Sequence, residues 1–481
     1  MIKNTLAYHI ILLLIYGNFP AYVSIFLYSI IVILFALGGF KELFRLTFLL
    51  YPFMFLIKIP DHTNVFLIVL PDIVSLLSIS FYLASNVIKD PVLKHRNLTI
   101  CLVILMVLNI SIPLLHTLSI EVIPVIFRQY IIPIVFALVF LQASEKVESL
   151  VSKALTVSIL SFSIVAAVSI LNYLGIFTIP PVFEDVFPYV NYLRSLEGEA
   201  ISGRSLTGGD MALRLNPMLG GALGSSAAIL MTLSIISLLK FRHGVHRGLL
   251  FVPAIFLGAA AILTISSSIL FPVIIGIMLY TYIRLGKLIL LPAFIVVFVI
   301  INTIEFTNIS VFDYFYNSFI MNISNALDGN TITSFLFGNG PKFSTTLYSY
   351  PSREYSGDIG IFRVLLESGI LNFTVFITLI YLMIKQYFKN DTRLLLMQKF
   401  PFIFLFLIMV STIHTNLLFT APFYPLFGLC IAGLYARSNN RGTEVTPKPN
   451  RRVNIDPKSL ATSPSDNSSS RISREVDAQS Y

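Results

Sequence analysis

Residues 5–39 contain no Lys, Arg, Asp or Glu, and apolar runs separated by charge clusters recur along most of the chain. A run of this kind suits a helix of about 20 residues that satisfies its own backbone groups in lipid, where water cannot. The runs fall at about 5–18, 21–39, 44–58, 64–84, 98–115, 120–142, 151–175, 216–239, 247–265, 268–283, 287–305, 361–385, 400–416 and 419–436. Only 12% of the 481 residues are charged, 56% are apolar, and mean hydropathy is +0.84. Soluble domains hold roughly 25% charged and 45–50% apolar residues, so a soluble fold is excluded. The expected fold class is all-α: a polytopic integral membrane protein of about fourteen transmembrane helices, with a transmembrane domain over 1–436. Asn18-Phe19-Pro20 reads as a turn between the first two spans. The N-terminal run continues without a small-residue cleavage site and is expected to be a retained span.

Basic residues set the orientation. Two-span packing of 5–39 keeps Lys3 and Lys41 on one side, and 25 of the 33 Lys and Arg then share that side. Both termini are therefore expected in the cytoplasm. The net charge of +9 reads as this topological bias and not as a nucleic-acid surface. Residues 437–481, rich in Ser, Pro, Asn and charge, are expected to form a disordered basic cytoplasmic tail able to touch anionic membrane lipids. Two long polar segments, at about 176–215 and 306–360, are expected to be large outer loops.

The eight basic residues that escape the bias are Lys58, Arg128, Arg194, Arg204, Arg214, Lys342, Arg353 and Arg363. Six of them lie in or beside the two outer loops, and five of those six are arginine, whose planar fork suits phosphate oxygens. An anionic ligand at the outer face follows, with loop salt bridges to Glu197, Glu199, Asp210, Glu354 and Asp358 as the plain alternative. Charges inside spans are costly and by default functional. Arg128, Asp72 and Glu367 qualify, and Arg128 is expected either to pair with Asp72 or to meet the anion. His414, in Ile413-His414-Thr415-Asn416, sits at the outer end of a hairpin, where it suits either a site or a turn. His243 and His246 belong to the basic cluster Lys240–Arg247 and read as topology. Cys101 and Cys430 lie in apolar runs and encode no disulfide framework. No His/Cys cluster has metal-ligand spacing and no Walker sequence occurs, so neither a metal nor a cofactor is implied. Of the 22 Tyr, those in the outer loops could stack on sugar rings.

Motifs follow in the same region. Arg214 precedes Asn216-Pro217 and a glycine-rich helix beginning Met218-Leu219-Gly220-Gly221. Phe337-Gly338-Asn339-Gly340 forms a Phe-Gly-x-Gly turn, and Asp358 stands eleven residues before the glycine of Glu367-Ser368-Gly369-Ile370-Leu371. With two large outer loops among many spans, this resembles the O-antigen polymerase/O-antigen ligase superfamily, best over about 200–375. Ligases of that superfamily have His where this chain has Asp358, so the resemblance points to the polymerase branch. Ser267, in Leu263-Thr264-Ile265-Ser266-Ser267-Ser268, stands where relatives often have Arg.

The resemblance implies a glycosyltransferase of the bacterial inner membrane. Its partners would be undecaprenyl-pyrophosphate-linked oligosaccharides, with a chain-length regulator protein as a further candidate. Pyrophosphate would leave C1 of the growing chain as a sugar hydroxyl of the incoming repeat unit attacks. Arg204, Arg214 and Arg353, with Arg363 and Arg128 behind them, would hold the pyrophosphate. Asp358 or Glu354 would assist the hydroxyl, with His414 as a third candidate. Two alternatives share parts of this picture: an O-antigen ligase, and a lipid-linked oligosaccharide flippase or transporter, which should carry its charges along a mid-membrane cavity.

Overall fold

The computed structural model describes residues 19–53, 57, 64–85, 95–115, 127–142, 147–174, 176, 223–242, 250–264, 269–270, 272–277, 332–338, 360–389, 400–414 and 424–436. The chain divides into two units, Met1–Asn439 and Asn440–Tyr481, and every described residue belongs to the first. Among the described residues the fold is all-α, without a strand.

In chain order the helices are α1 (Ala21–Leu37), α2 (Phe40–Leu50), α3 (Val65–Ser85), α4 (Arg96–Leu115), α5 (Ile132–Gln142), α6 (Val147–Tyr173), α7 (Leu223–Arg242), α8 (Phe251–Leu263), α9 (Ile332–Phe337), α10 (Gly360–Lys389), α11 (Phe400–His414) and α12 (Tyr424–Ala436). A 3-10 turn, Tyr51–Phe53, follows α2, and a π-helical turn, Phe127–Ile131, leads into α5. Proline marks many of the starts. Pro133, Pro253, Pro401 and Pro425 occupy first turns, where the missing N–H has no helical partner to lose. Pro71 sits inside α3. Gly39, at φ 77°, turns the chain from α1 into α2.

Among the described residues, two helical stretches, Ser149–Leu171 in α6 and Ser368–Gln386 in α10, are long and apolar enough to cross a membrane, and eight further apolar helices are shorter. The expected run at 44–58 is helical only to Leu50 before the 3-10 turn. The run at 120–142 is described only from Phe127, with the π-helical turn at its head. The expected runs at 5–18 and 287–305, most of 268–283, and the tail 437–481 lie outside the described residues.

α6 is the central post, buried over most of its length, with α2, α7, α8 and α12 against it. Glycines permit the closest approaches. A Cβ on Gly428 of α12 would stand 2.0 Å from the Pro133 carbonyl oxygen of α5, and one on Gly433 would stand 2.7 Å from Val151 of α6. α7 and α8 form a hairpin fastened by two hydroxyls: Ser234 donates to the Ala254 carbonyl at 2.8 Å and Ser237 to that of Leu250 at 2.7 Å. Between α2, α3 and α5 lies an aromatic nest. Phe40, Phe44, Tyr82 and Phe140 meet with ring centroids 4.9–6.3 Å apart, the spacing of tilted and edge-to-face pairs.

Candidate functional site

Two of the motifs singled out in sequence, Phe337-Gly338 and Glu367-Ser368-Gly369, meet at one junction. α9 is six residues long and ends on Phe337. Gly338 follows at φ 81°, the left-handed conformation that closes helix C-termini and that glycine adopts without a Cβ penalty. α10 is interrupted at Gly369, where φ 76° and ψ 175° break the helical path. The two sites touch. A Cβ on Gly369 would stand 2.3 Å from the Leu336 carbonyl oxygen and 2.4 Å from the Gly338 nitrogen, so only glycine admits α9 to this depth. Phe337-Gly338, within the 306–360 segment, is thus seated on the Glu367-Ser368-Gly369 motif, thirty-one positions further along the chain.

Polar side chains flank the junction. The Ser368 hydroxyl is buried, 3% exposed, and makes no hydrogen bond among the described residues. Three residues past the break, Asn372 Nδ2 donates to Asn109 Oδ1 of α4 at 2.8 Å. Asn109 Nδ2 in turn donates to the Leu105 carbonyl at 2.7 Å. Arg363 lies in the first turn of α10, six residues before Gly369.

A second buried polar group joins α3, the π-helical turn and the 3-10 turn. Arg128 Nε stands 2.9 Å from Asp72 Oδ2 and Arg128 Nη2 2.6 Å from the same oxygen. The Tyr51 hydroxyl donates to Asp72 Oδ1 at 2.9 Å, and the Ser75 hydroxyl lies 3.3 Å from the Tyr51 oxygen. Asp72 and Arg128 are 5% and 6% exposed, so each charge needs the other. Of the two roles open to Arg128 from sequence, the internal ion pair is the one seen among the described residues.

The other candidates stand as follows. Arg204, Arg214, Arg353, Glu354 and Asp358, with Arg194 and Lys342, lie outside the described residues. Arg363 and His414 are described as helix backbone only, His414 as the last residue of α11. Lys240, read from sequence as part of the basic cluster on the cytoplasmic side, is wholly buried; its Nζ donates to Thr156 Oγ1 at 2.8 Å and to the Ser152 carbonyl at 3.0 Å. It also stands 5.8 Å over the Phe400 ring.

Sequence reasoning missed Ser368, Asn109, Asn372 and Tyr51. The available signals were amides placed inside apolar runs, which in lipid seek partners on neighbouring helices, and a glycine within a helical pattern. Among the described residues, no three His, Cys, Asp or Glu side chains are grouped to hold a metal ion. Compared with family models, curated proteins and solved structures, the chain matches none of them.

Proposed function

We propose that this chain is a membrane-embedded polysaccharide repeat-unit polymerase. It transfers glycan from an undecaprenyl-pyrophosphate-linked donor to a lipid-linked repeat unit at the outer face of the bacterial inner membrane. The observation that carries the reading is the contact between Gly338 and Gly369. It joins two of the motif segments on which the resemblance to O-antigen polymerases rests, one of them inside the 306–360 segment and the other opening a long apolar stretch of helix.

The membrane setting is supported by where polar and apolar groups lie. Leu37, Val107, Val252, Ile255, Ile262 and Tyr381 are more than half exposed, whereas Ser75, Ser161, Thr232 and Ser237 are fully buried. Hydroxyls that do face outward return to their own helix: Ser80 donates to Leu76, Ser85 to Phe81, Thr374 to Ile370 and Thr378 to Thr374, at 2.7–2.9 Å. Such internal satisfaction is what lipid demands and water does not. About fourteen spans with both termini in the cytoplasm remains the topology that the basic residues favour. On that topology Asp72, Arg128, Asn109, Ser368 and Asn372 fall in the outer half of their helices, toward the proposed transfer site.

In this mechanism Arg204, Arg214 and Arg353, seconded by Arg363, stabilise charge developing on the departing pyrophosphate. Asp358 or Glu354 takes the proton of the attacking sugar hydroxyl. Fixed arginines supply positive charge at any working pH.

The test is a gel of surface and lipid-linked glycans from the host with this gene deleted. Loss of the long-chain ladder, with single repeat units still on the final acceptor, is the expected result. Long lipid-linked chains without any decorated acceptor would instead mean a ligase, and single units held on the cytoplasmic side a flippase. Complementation with Arg204→Ala, Arg214→Ala or Arg353→Ala is expected to shorten or abolish the ladder at normal expression.

A further inference from the structure

We infer that the Arg128–Asp72 ion pair latches a helical turn that has two registers. Latched, Phe127–Ile131 is a π-helical turn; released, it closes to α and turns the chain that enters α5 by one residue, ~100°. The latch is independent of the polymerase reading. Three observations combine. First, three departures from plain α geometry meet at the pair. The π-helical turn brings Arg128, and the 3-10 turn brings Tyr51, whose hydroxyl donates to Asp72 Oδ1 at 2.9 Å. Asp72 itself follows Pro71 inside α3, where the missing N–H leaves the Leu67 carbonyl without its helical donor. Tyr51 and Arg128 lie 21 and 56 positions from Asp72 in the chain, so no local rule brings them together. Irregular backbone within an apolar bundle persists only where other groups gather to satisfy it, and π-helical turns are rare and frequently mark functional sites.

Second, backbone hydrogen bonds do not choose between the registers. Pro133 follows the turn and has no N–H to give. With i→i+4 bonds the Gln129 carbonyl goes without its donor, and with i→i+5 bonds the Arg128 carbonyl does. Each register forfeits a bond to the same proline, so side chains decide between them. In the π register Arg128 Nε and Nη2 stand 2.9 and 2.6 Å from Asp72 Oδ2. Third, α5 cannot take up a change of register. A Cβ on Gly428 of α12 would stand 2.0 Å from the Pro133 carbonyl oxygen and 2.9 Å from Phe136 Cβ, and Phe136 and Phe140 are wholly buried. The rotation therefore falls on the residues before Ile132: Arg128 leaves Asp72, and Phe127 leaves the core side chains it packs against. Neither charge is tolerated alone at this burial, so the latch stays shut until each gains another partner.

The experiment uses the full chain in lipid nanodiscs, with one spin label on Phe127→Cys and the other on Leu37→Cys of α1 or Ile262→Cys of α8, reference sites more than half exposed. The native cysteines are buried and set a low labelling background. Electron–electron distances are compared between the latched chain and a released chain carrying Arg128→Met with Asp72→Leu. Release swings the side chain at 127 through ~100° on a radius of ~5–6 Å, so at least one of the two distances is expected to change by ~4 Å or more. Deleting Gln129 from the released chain removes the extra residue that a π turn holds. Both distances are then expected to return to the latched values, since a turn shortened by one residue reaches the same phase in α geometry as the longer turn does in π. Unchanged distances in the released chain overturn the latch. A change that the deletion does not reverse is local loosening and overturns the two registers. If the apolar pair does not accumulate as folded protein, Arg128→Gln with Asp72→Asn takes its place; if neither accumulates, the pair is a folding element and not a latch.

Discussion

Arg128 grips Asp72 side-on, Nε and Nη2 standing 2.9 and 2.6 Å from one carboxylate oxygen, with both residues at least nine-tenths buried. The grip ties the π-helical turn before α5 to the middle of α3. Removing one member strands the other charge, at a cost of about 3–5 kcal/mol. Arg128→Ala and Asp72→Ala are each expected to lower the melting temperature of the purified chain sharply. The apolar double replacement Arg128→Met with Asp72→Leu is expected to recover most of the loss, because desolvation of a buried pair consumes much of its attraction. The same double variant also separates the two roles of Arg128. Stable and active, it removes Arg128 from donor binding; stable and inactive with an unchanged fold, it assigns Arg128 there.

Tyr51 gives a smaller effect at the same place. Its hydroxyl donates to Asp72 Oδ1 at 2.9 Å, an oxygen that also receives Arg128 Nε at 3.1 Å. Tyr51→Phe therefore leaves Asp72 partnered, and Ser75 keeps its bond to the Pro71 carbonyl at 2.8 Å. The expected loss is about 1 kcal/mol, the net worth of one hydrogen bond, measured by thermal unfolding against the parent. A loss as large as that of Asp72→Ala would show that the tyrosine hydroxyl is needed to hold the pair together.

Much of this fold is legible in the sequence because its strongest signal is the simplest one. Long apolar runs such as those holding α3, α4, α6 and α10 favour apolar helices despite single charges within them, and Pro133, Pro253, Pro401 and Pro425 mark four starts within two or three residues. What is not legible is direction. Lys240 lies beside Phe241-Arg242-His243 in sequence and reads as one member of a basic cluster, yet its Nζ meets Thr156 and Ser152 inside the fold. Gly369 belongs to a motif legible in sequence, but nothing local in Glu367-Ser368-Gly369-Ile370 specifies its positive φ or the approach of α9. The pairing of Asn109 with Asn372 spans 263 positions, a separation at which one sequence gives no information about contact. For the site, the motifs could be found but their meeting could not.

Lys240 makes a prediction against its own charge. Its Nζ reaches two oxygens and a ring face, so the ammonium is satisfied, but it gains these contacts after losing its water. Thr156 also donates to the Ser152 carbonyl at 2.8 Å, so removing the lysine leaves no hydroxyl stranded. Lys240→Met keeps the length and apolar stem, and stability is expected to hold within about 1 kcal/mol of the parent or to rise. Lys240→Glu brings a carboxylate against the Ser152 carbonyl and is expected to prevent accumulation of folded protein. Yield after size-exclusion chromatography and melting temperature decide both, and a collapse of Lys240→Met would mean that the charge itself is required.

Asn109 and Asn372 offer a direct measure of how much one amide pair fastens α10 to α4 beside the break. Asn372 donates across the interface at 2.8 Å while Asn109 is held by its own helix through Leu105 at 2.7 Å. The two residues are therefore unequal. Asn372→Leu leaves Asn109 anchored and costs one interhelical bond; Asn109→Leu strands the Asn372 amide in an apolar interior and costs more. In the double variant no amide remains to be stranded. The coupling energy from the double-mutant cycle is expected at about 0.6–1.7 kcal/mol, the range found for side-chain hydrogen bonds between helices in lipid. Unfolding of the single and double variants in mixed micelles supplies the four stabilities. Equal losses for the two single variants, or a coupling near zero, would mean that packing around the break holds α10 to α4 and that the amides only follow it.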